Sequence, residues 1–508
     1  MSDQDEIIAF LSDPASYGKP GVTVERIDTH ISHVFLVGQR VYKLKRAARF
    51  SYLDYSTPAL REENCRRELA LNRRTAPALY LDVRAITRDA DGRLAFDGTG
   101  AAVDWVLEMR RFPDDCLFAT LADKKQLTPL MMRNLTDAIA AFHAEAETAT
   151  GGGCAAMAQT ITGNIDNLIQ CYPPLDHRSV DALAATTRES LTKVAALLDR
   201  RNDRGAVRRC HGDLHLGNVC LFEDRPTPFD CIEFNDAMSC IDVLYDIAFL
   251  LMDLIQRDLN DLANIVFNRY FDLAEQADGL PAMPLFLSVR AAIRAHVLAT
   301  QDRQHHAADT EAKAKSYLAL AQTLLRPGTP RLIAIGGLSG TGKSTLAQKL
   351  APDFLPAPGA RLVRSDVVRK RQANVPPETR LPPSAYGPET SARVYEALGA
   401  QCAAAVAAGY TAIADAVFLR AEERDAIATI ASRAGVPFLG LWLEAPADVL
   451  KKRIAGRVND ASDADTTVLQ SQFSIPTGAI GWQRIDSSRT LDDNRDRIRA
   501  LLAPAART

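Results

Sequence analysis

Two short stretches carry residue types suited to phosphate chemistry. The first is Arg331 to Leu346, R-L-I-A-I-G-G-L-S-G-T-G-K-S-T-L. Its apolar run ends in glycines, and G-x-x-x-x-G-K-S fits Gly337, Gly342, Lys343 and Ser344. Set between a strand and a helix, such a loop turns backbone N–H groups onto phosphate oxygens, and the helix N-terminus adds a favourable dipole. Ser339, Gly340, Thr341 and Thr345 complete the cradle. Lys343 is spaced to reach the β- and γ-phosphates, and the Ser344 hydroxyl to hold Mg²⁺. The stretch predicts a nucleoside-triphosphate site.

The second stretch is His211 to Asn218, H-G-D-L-H-L-G-N, followed twelve residues later by Asp230 in P-F-D-C-I-E-F-N-D. Asp213 on a loop can accept a proton from a substrate hydroxyl. Asn218 returns an amide oxygen to a metal, and Asp230 on an adjacent strand supplies an anionic ligand. His211 reads as an orienter of the loop backbone. His215 reads as packing or an orienting hydrogen bond.

The elements that must position these groups follow from periodicity. Val22 to Lys45 is strand-like, with a tight turn at Gly38-Gln39. In its last strand Val41, Lys43 and Lys45 share one face. Thr57 to Arg74 is helical and carries Glu62, Glu63 and Glu68, and Ala101 to Met109 is a strand. Helices are expected over Leu130–Ala146, His177–Asp199, Ile241–Ile255, Asp258–Gln276 and Met283–Leu325. A β-rich segment thus precedes a helical one, as in a two-lobed unit. Asp242 and Asp246, four apart, are expected on one helix face as braces for the catalytic loop. Gly151 to Gly153 is a flexible loop, and Arg326 to Pro330 breaks the helix as a linker.

The H-G-D-x-x-x-x-N pattern and its following Asp resemble the catalytic core of aminoglycoside phosphotransferases, relatives of the protein-kinase fold. The resemblance covers most of residues 20–320. It implies Asp213 as base and Asn218 and Asp230 as Mg²⁺ ligands. It also implies a strand lysine on the ATP α/β-phosphates, paired with a helix glutamate. Lys43 is the first choice, two after Val41, with Lys45 open on the same face. Glu68 in R-R-E-L-A-L is the partner, with Glu63 second. Leu107-Glu108-Met109 would be the hinge whose backbone meets adenine. No G-x-G-x-x-G precedes the lysine, where Thr29-His30-Ile31-Ser32-His33 stands. That departure argues against a protein kinase.

Beyond the linker, strands and helices alternate as in a parallel α/β sheet. Strands are expected to end at Ser365-Asp366, at Asp415 and at Leu443, with a long helix over Glu389–Ala408. Ligands of open α/β sheets bind beyond the carboxyl ends of the strands. Ser365-Asp366 with Arg369 resembles the S/R-D-x-x-R pattern of small P-loop kinases, including the polynucleotide-kinase and zeta-toxin groups. It implies Asp366 as general base and Arg369 on the substrate. Asp415 would hold the Mg²⁺ hydration shell or orient substrate. Arg453 and Arg457, four apart, share a helix face. They resemble lid arginines that stabilise phosphoryl-transfer charge; the other reading is a solvated basic helix end. Ser462-Asp463 and Gln470 are placed in the same lid. Tyr386, within Pro376 to Pro388, is expected either on a substrate loop or as a purely structural aromatic.

The 508 residues, 47% hydrophobic and 24% charged, suit about three domains' worth of ordinary globular chain. A net charge of −3 gives no pull toward nucleic acid or acidic membranes. There is no basic patch interleaved with aromatics, which argues against a nucleic-acid partner. Nine cysteines without a C-x-x-C pair read as reduced thiols, and the N-terminus is acidic where a signal peptide would be basic. Ile241–Ile255, interrupted by Asp242, Asp246 and Asp253, is expected to be a core helix rather than a membrane span. The expected location is cytoplasmic.

The whole chain resembles a bacterial family that fuses an aminoglycoside-phosphotransferase-like domain to a P-loop, kinase-like ATP-binding domain. The expectation is an α+β two-lobed kinase-like domain over residues 1–326, with lobes of about 1–110 and 111–326. A P-loop α/β domain with a mainly parallel sheet follows over residues 331–508. Each would use ATP and Mg²⁺ to phosphorylate a hydroxyl of a small-molecule acceptor. The alternatives are that one domain is a regulatory nucleotide-binding module, or that the P-loop half acts on a nucleic-acid or nucleotide-sugar hydroxyl.

Overall fold

The computed structural model describes residues 4–18, 21–50, 53–172, 174–305, 308–456 and 461–502. They form two compact units, Met1–Met157 with Asp199–Leu250, and Ala158–Leu198 with Leu251–Thr508.

In the first unit, strands β1 (Val24–Asp28), β2 (Ser32–Val37) and β3 (Arg40–Lys45) precede a small hairpin, β4 (Arg49–Phe50) with β5 (Leu53–Asp54). Then come β6 (Tyr80–Arg88), β7 (Leu94–Phe96) and β8 (Ala101–Arg110). Six of these make one sheet in the order β1-β2-β3-β8-β6-β7, antiparallel throughout. Because side chains alternate, β3 serves both faces. Tyr42 and Leu44 pack with Ile7 and Leu11 of the helix Asp5–Ser12. Lys43 and Lys45 reach Glu68 of the helix Pro58–Asn72 on the other face.

That helix starts with Thr57, whose hydroxyl accepts the Leu60 N–H, and with Pro58 in its first turn. Its buried residues are Arg61, Cys65, Glu68, Leu71 and Asn72, so the face turned inward is largely polar. Arg61 grips Asp104 of β8 through two hydrogen bonds of 2.7 and 2.9 Å, both residues being buried. Removing one partner of such a pair costs about 3–5 kcal/mol. This clamp fixes the helix, and with it Glu68, against the sheet.

Two ribbons frame the H-G-D loop. β9 (Val207–Arg209) pairs with β12 (Cys240–Asp242), and β10 (Val219–Phe222) pairs with β11 (Arg225–Pro228). Asp242 ends β12 instead of lying on the following helix, Val243–Gln256. Its carboxylate accepts the Leu244 N–H at 2.8 Å and binds Arg201 at 2.7 and 2.8 Å. Only Asp246 of the expected pair braces the loop.

In the second unit, strands β13 (Leu332–Gly336), β14 (Arg361–Arg364), β15 (Ala412–Asp415), β16 (Phe438–Glu444) and β17 (Gln483–Asp486) form one sheet. Its order is β14-β15-β13-β16-β17, parallel throughout. β13 is buried along its length, as a strand covered on both faces must be. Ile333, Ile335, Ile413, Leu441 and Leu443 pack with Leu346 and Leu350 of the helix Lys343–Leu350 and with Ile498 of the helix Leu491–Leu502.

The helix Asn260–Leu273 covers the edge strand β14 of this sheet. Asn264, Asn268 and Asp272 form an i, i+4, i+8 stripe along it. Asn264 donates to Pro358 O at 3.0 Å, and Asn268 Oδ1 accepts from Leu362 N at 2.7 Å and Arg361 Nη1 at 2.9 Å. Asp272 meets Arg361 Nη2 at 2.5 Å. Side chains thus satisfy an edge that would otherwise present unpaired backbone. The helical run expected over Met283–Leu325 is two helices, Met283–His305 and Ala308–Leu324. Among the described residues, Ala277–Gln301 is long and apolar enough to cross a membrane by length and composition, and 67% of its apolar window is buried within the protein.

Candidate active sites

β9 leads directly into the loop that carries Asp213. Two backbone bonds to Asp246 set the loop's shape, His211 N–H at 3.1 Å and Gly212 N–H at 2.9 Å. His143 Nε2 meets the same carboxylate at 3.1 Å from behind. Gly212 has φ +85°, and a Cβ there would fall 2.8 Å from Met238 O, so only glycine fits. His211 donates from Nε2 to Phe229 O at 2.9 Å, joining the loop to the segment that carries Asp230.

Asn218 donates Nδ2 to the backbone and carboxylate oxygens of Asp213, at 3.0 and 2.9 Å. Its amide oxygen is the atom left for a metal. His215 accepts the Gly217 N–H at Nδ1 and lies 3.4 Å from Asp213 Oδ2 through Nε2, so it orients the carboxylate. Asp230 holds φ +64°, a left-handed value for a non-glycine residue. Three bonds pin this segment: Asp230 N–H to the Tyr80 hydroxyl, Cys231 N–H to Asn72 Oδ1 and Ile232 N–H to His211 O. Asp230 is 42% exposed and meets Lys43 Nζ at 2.6 Å.

Both candidate lysines reach Glu68. Lys43 binds its Oε1 at 2.9 Å, and Lys45 its Oε2 at 2.6 Å. Lys45 is 1% exposed and also binds Glu233 at 2.5 Å and the Tyr55 hydroxyl at 3.2 Å. Lys43, 15% exposed, is the one that joins Glu68 to Asp230. Burial alone would lower both ammonium pKa values. Asp230 and Glu68 around Lys43, and Glu233 and Glu68 around Lys45, push them well above the ordinary lysine value. Burial would raise the Glu68 pKa, but Lys43 and Lys45 bring it down to about 2.

Glu233, Tyr55 and Tyr80 were not singled out by the sequence. Glu233 stands three residues after Asp230, and that proximity is the only signal for it. Glu63, the second choice, is exposed on the same helix, whereas Glu68 binds both lysines. The expected hinge is displaced. Leu107, Glu108 and Met109 lie inside β8, paired with β3 on one side and β6 on the other. Their backbone groups are spent on the sheet. Arg110 N–H and Arg111 N–H bond Leu79 O and Gln39 O, so the chain leaves the sheet only at Phe112.

In the second unit β13 runs into the phosphate loop. Gly340 has φ +89°, and an added Cβ would fall 2.9 Å from Leu450 O. Thr341 Oγ1 and Lys343 Nζ both donate to Leu338 O, at 2.8 and 3.0 Å, closing the loop on itself. Ser344 donates to Asp415 Oδ2 at 2.6 Å, and Arg364 Nη2 donates to Ser344 Oγ at 3.2 Å. Asp415 and Arg364 end neighbouring strands in register, which is why they converge here. Gly337 and Gly342 take left-handed φ values of 133° and 86°, and Thr345 is exposed on the first turn of the helix.

Asp366 opens the helix Ser365–Gln372 beside this group. Burial raises its pKa; Arg364 lowers it, Asp415 raises it, and a Ser462 hydrogen bond and Lys343 lower it. The net result is a carboxyl above its ordinary value, as a general base requires. Arg369 turns to the Ala385 carbonyl at 2.7 Å and lies over the Tyr386 ring at 4.7 Å. It therefore holds the Pro376–Pro388 loop. Arg453 donates to Ser487 O at 2.9 Å, and a Cβ on Gly342 would lie 4.0 Å from its Nη1, so its guanidinium sits beside the phosphate loop. Arg457 lies outside the described residues.

The expected lid contacts differ in detail. Gln470 is exposed, and Gln472 takes its place: its amide accepts the Ser339 N–H at 2.8 Å and donates to Ser339 Oγ at 2.9 Å. Asp463 accepts from Lys370 at 2.5 Å, Tyr386 at 2.5 Å and Leu381 N–H at 2.9 Å. Lys370, fully buried, was not anticipated. Three donors on one carboxylate join the Pro376–Pro388 loop to the 461–465 segment.

An antiparallel sheet with its lysine–glutamate pair and H-G-D loop, and a parallel sheet with its phosphate loop, are the marks of two kinase-type domains. Residues 34–285 match the phosphotransferase enzyme family, and residues 332–474 match an AAA domain. The chain joins a phosphotransferase-family domain to a P-loop kinase-like domain. An uncharacterized protein of Mycobacterium tuberculosis strain H37Rv is 26% identical over 472 residues, covering 91% of this chain and 92% of the relative. Among solved structures, a choline/ethanolamine kinase family protein from Mesorhizobium loti is 14% identical and covers 64% of this chain and 95% of its own, with a TM-score of 0.36. A sugar kinase from Janibacter is 22% identical and covers 34% of this chain and 94% of its own, with a TM-score of 0.25.

Proposed function

We propose that the chain is a bifunctional ATP-dependent phosphotransferase. Each domain transfers the ATP γ-phosphoryl group to a hydroxyl of a small molecule, such as a sugar, an aminoglycoside-like or a nucleotide-like acceptor. The observation that carries this reading is that each half pairs a candidate base with its own oxygen donors for a cation. In one half Asp213 is bonded to Asn218 at 2.9 Å, with Asp230 on the next segment. In the other Asp366 stands beside a Ser344–Asp415 pair at 2.6 Å.

These donors are carboxylate, amide and hydroxyl oxygens, the hard ligands that suit Mg²⁺. Asn218 and Asp230 would hold it in one domain, and Ser344 and Asp415 in the other. Bound there with ATP, the metal neutralises phosphate charge. Asp213, oriented by Asn218 and His215, takes the proton of the acceptor hydroxyl. Lys43 binds the α/β-phosphates. In the second domain the backbone of residues 337–345 cradles the phosphates, Lys343 reaches the β/γ oxygens, and Asp366 accepts the hydroxyl proton. Arg453 stabilises the charge that spreads over the transferring group. All nine cysteines are free, which supports a cytoplasmic location.

A second reading makes one domain a regulatory nucleotide-binding module. It is favoured by the docking of the helix Asn260–Leu273 on β14, the strand that leads to Asp366. ATP consumption by Asp213→Ala, Asp366→Ala and the double variant, across a panel of sugars, aminoglycosides and nucleotides, separates the two. Two acceptor-dependent activities, one lost with each substitution, support bifunctionality. Loss of every activity with one substitution and of none with the other moves the assignment to regulation.

A further inference from the structure

The Pro376–Pro388 loop has almost no core of its own. Among residues 376–388 Pro377 alone is buried, so the prolines and polar ties decide where the loop lies. Its far end sits by the candidate base. Asp366 and Arg369 are one turn apart on the helix Ser365–Gln372 and share a face. Arg369 donates to Ala385 O at 2.7 Å and lies over the Tyr386 ring at 4.7 Å. Burial, Asp463 and then Asp366 raise the pKa of the Tyr386 hydroxyl, so the phenol lies within the field of the base.

Two further ties hold the near half of the loop. Asp463 accepts the Leu381 N–H at 2.9 Å, but its neighbour Ser462 bonds Asp366, so this tie belongs to the site itself. The other comes from outside the P-loop segment. Arg269 of the helix Asn260–Leu273 meets Glu378 through a fork of 2.7 and 3.1 Å, across 109 positions. Such a fork fixes orientation as well as distance. The helix lies in the stretch that matches the phosphotransferase family. It is seated on β14 through Asn268, and Phe267 stacks on Tyr410 at 5.6 Å. Arg269 follows Asn268, about 100° round the helix. It is 10% exposed and Glu378 37%, so the arginine is the fixed partner.

We propose that Arg269 is a positioning residue for the acceptor of the second domain: by gripping Glu378 it holds the Pro376–Pro388 loop, with Tyr386, on the Asp366 side of the helix Ser365–Gln372. A loop released at Glu378 has to be ordered by the acceptor itself, which weakens binding. The phosphate loop is closed by its own bonds to Leu338 O and is untouched by this tie. This rests on the reading of the second domain as a kinase with Asp366 as base.

The test uses the full chain carrying Asp213→Ala, so that turnover by the first domain is removed. The acceptor is the compound, from a panel of sugars, aminoglycosides and nucleotides, whose phosphorylation is lost with Asp366→Ala. Arg269→Met and Glu378→Ala are each expected to raise its KM about fivefold or more, with kcat within about threefold of the parent. The two together should do no more than either alone, within about twofold, because both break one bond. Hydrogen exchange over residues 376–388 should quicken about tenfold in all three variants, and not in the helix Asn260–Leu273 or β14. Affinity for AMPPNP, a non-hydrolysable ATP analogue, with Mg²⁺ should match the parent.

A merely structural Arg269 predicts a different pattern. A KM raised by Arg269→Met but not by Glu378→Ala overturns the proposal, and so does exchange that quickens along the whole helix. An unchanged KM in both variants, with the parent active, overturns it while leaving the kinase reading in place. If Arg269→Met does not fold, Glu378→Ala decides. A raised KM with exchange confined to the loop supports the role, and an unchanged KM overturns it. A panel in which no phosphorylation depends on Asp366 overturns the reading of the second domain, and the proposal with it.

Discussion

Lys43 Nζ and Asp230 Oδ1 meet at 2.6 Å across 187 positions of sequence. The contact joins β3, a central strand of the sheet, to the segment that follows the H-G-D loop. It holds in one place the cation expected to meet phosphate and the carboxylate expected to meet metal. Lys43→Ala should leave the fold intact, because Lys45 still neutralises Glu68. Nucleotide-dependent turnover by the first domain should fall by roughly 10²–10³, the usual loss for one removed donor at developing charge. Steady-state kinetics beside a thermal melt checks it; a melt lowered in proportion to activity would mean the lysine serves only the fold.

Asp213→Asn removes the base while keeping an oxygen in place. General-base loss predicts a fall in kcat of roughly 10²–10⁴. AMPPNP affinity should be unchanged, because Asp213 bonds Asn218 and His215 rather than the lysine pair. Calorimetry and single-turnover assays on the same preparation separate the two effects.

The parts of this molecule that local chemistry dictates were legible in the sequence. The phosphate loop is one, because its glycines are demanded by backbone angles and by close approach, as at Gly340. Asp213, Asn218 and Asp230 were legible because one loop and one segment fix their spacing. The choice between Lys43 and Lys45 was not. Alternation puts both on one face, and only the helix packed above decides which is sealed. That helix, Pro58–Asn72, hides its role because its buried face carries Arg61, Glu68 and Asn72, so no apolar stripe marks it. The hinge was misplaced for a related reason. Sequence located β8 but could not reveal that strands on both sides consume its backbone. Gln472 and Lys370 escaped because their partners, Ser339 and Asp463, lie 133 and 93 positions away.

The Glu68 carboxyl, held near pKa 2 by its two lysines, makes stability depend on pH. A carboxyl whose folded pKa lies below its unfolded one stabilises fully above the unfolded value, here about 4.5. That contribution is lost as pH falls from about 4.5 toward about 2. A depression of this size corresponds to something on the order of 3 kcal/mol. Urea unfolding of wild type and Glu68→Gln should differ by that order at pH 7, and the gap should narrow across this acid window. A gap that stayed constant down to pH 3 would contradict the ion-pair origin.

The last relationship concerns how a helix sets a strand. Asn268 Oδ1 is shared by Leu362 N–H and Arg361 Nη1, both in β14, at 2.7 and 2.9 Å. Asn268→Leu keeps the volume and strips both acceptor contacts. Leaving a buried donor unpaired costs about 1–3 kcal/mol, and Arg361 retains Asp272, so the loss in chemical denaturation should lie near that range. The functional effect should be selective. β14 ends at Arg364, which bonds Ser344, and runs directly into the helix Ser365–Gln372 that carries Asp366. A shifted edge strand therefore moves the Asp366 carboxylate relative to the phosphate loop, where a displacement of about 1 Å is worth roughly 10²-fold in rate. The activity lost in Asp366→Ala should accordingly drop in Asn268→Leu, while the activity lost in Asp213→Ala stays near wild type. Equal losses in both would mean that the helix supports the whole chain and not this strand.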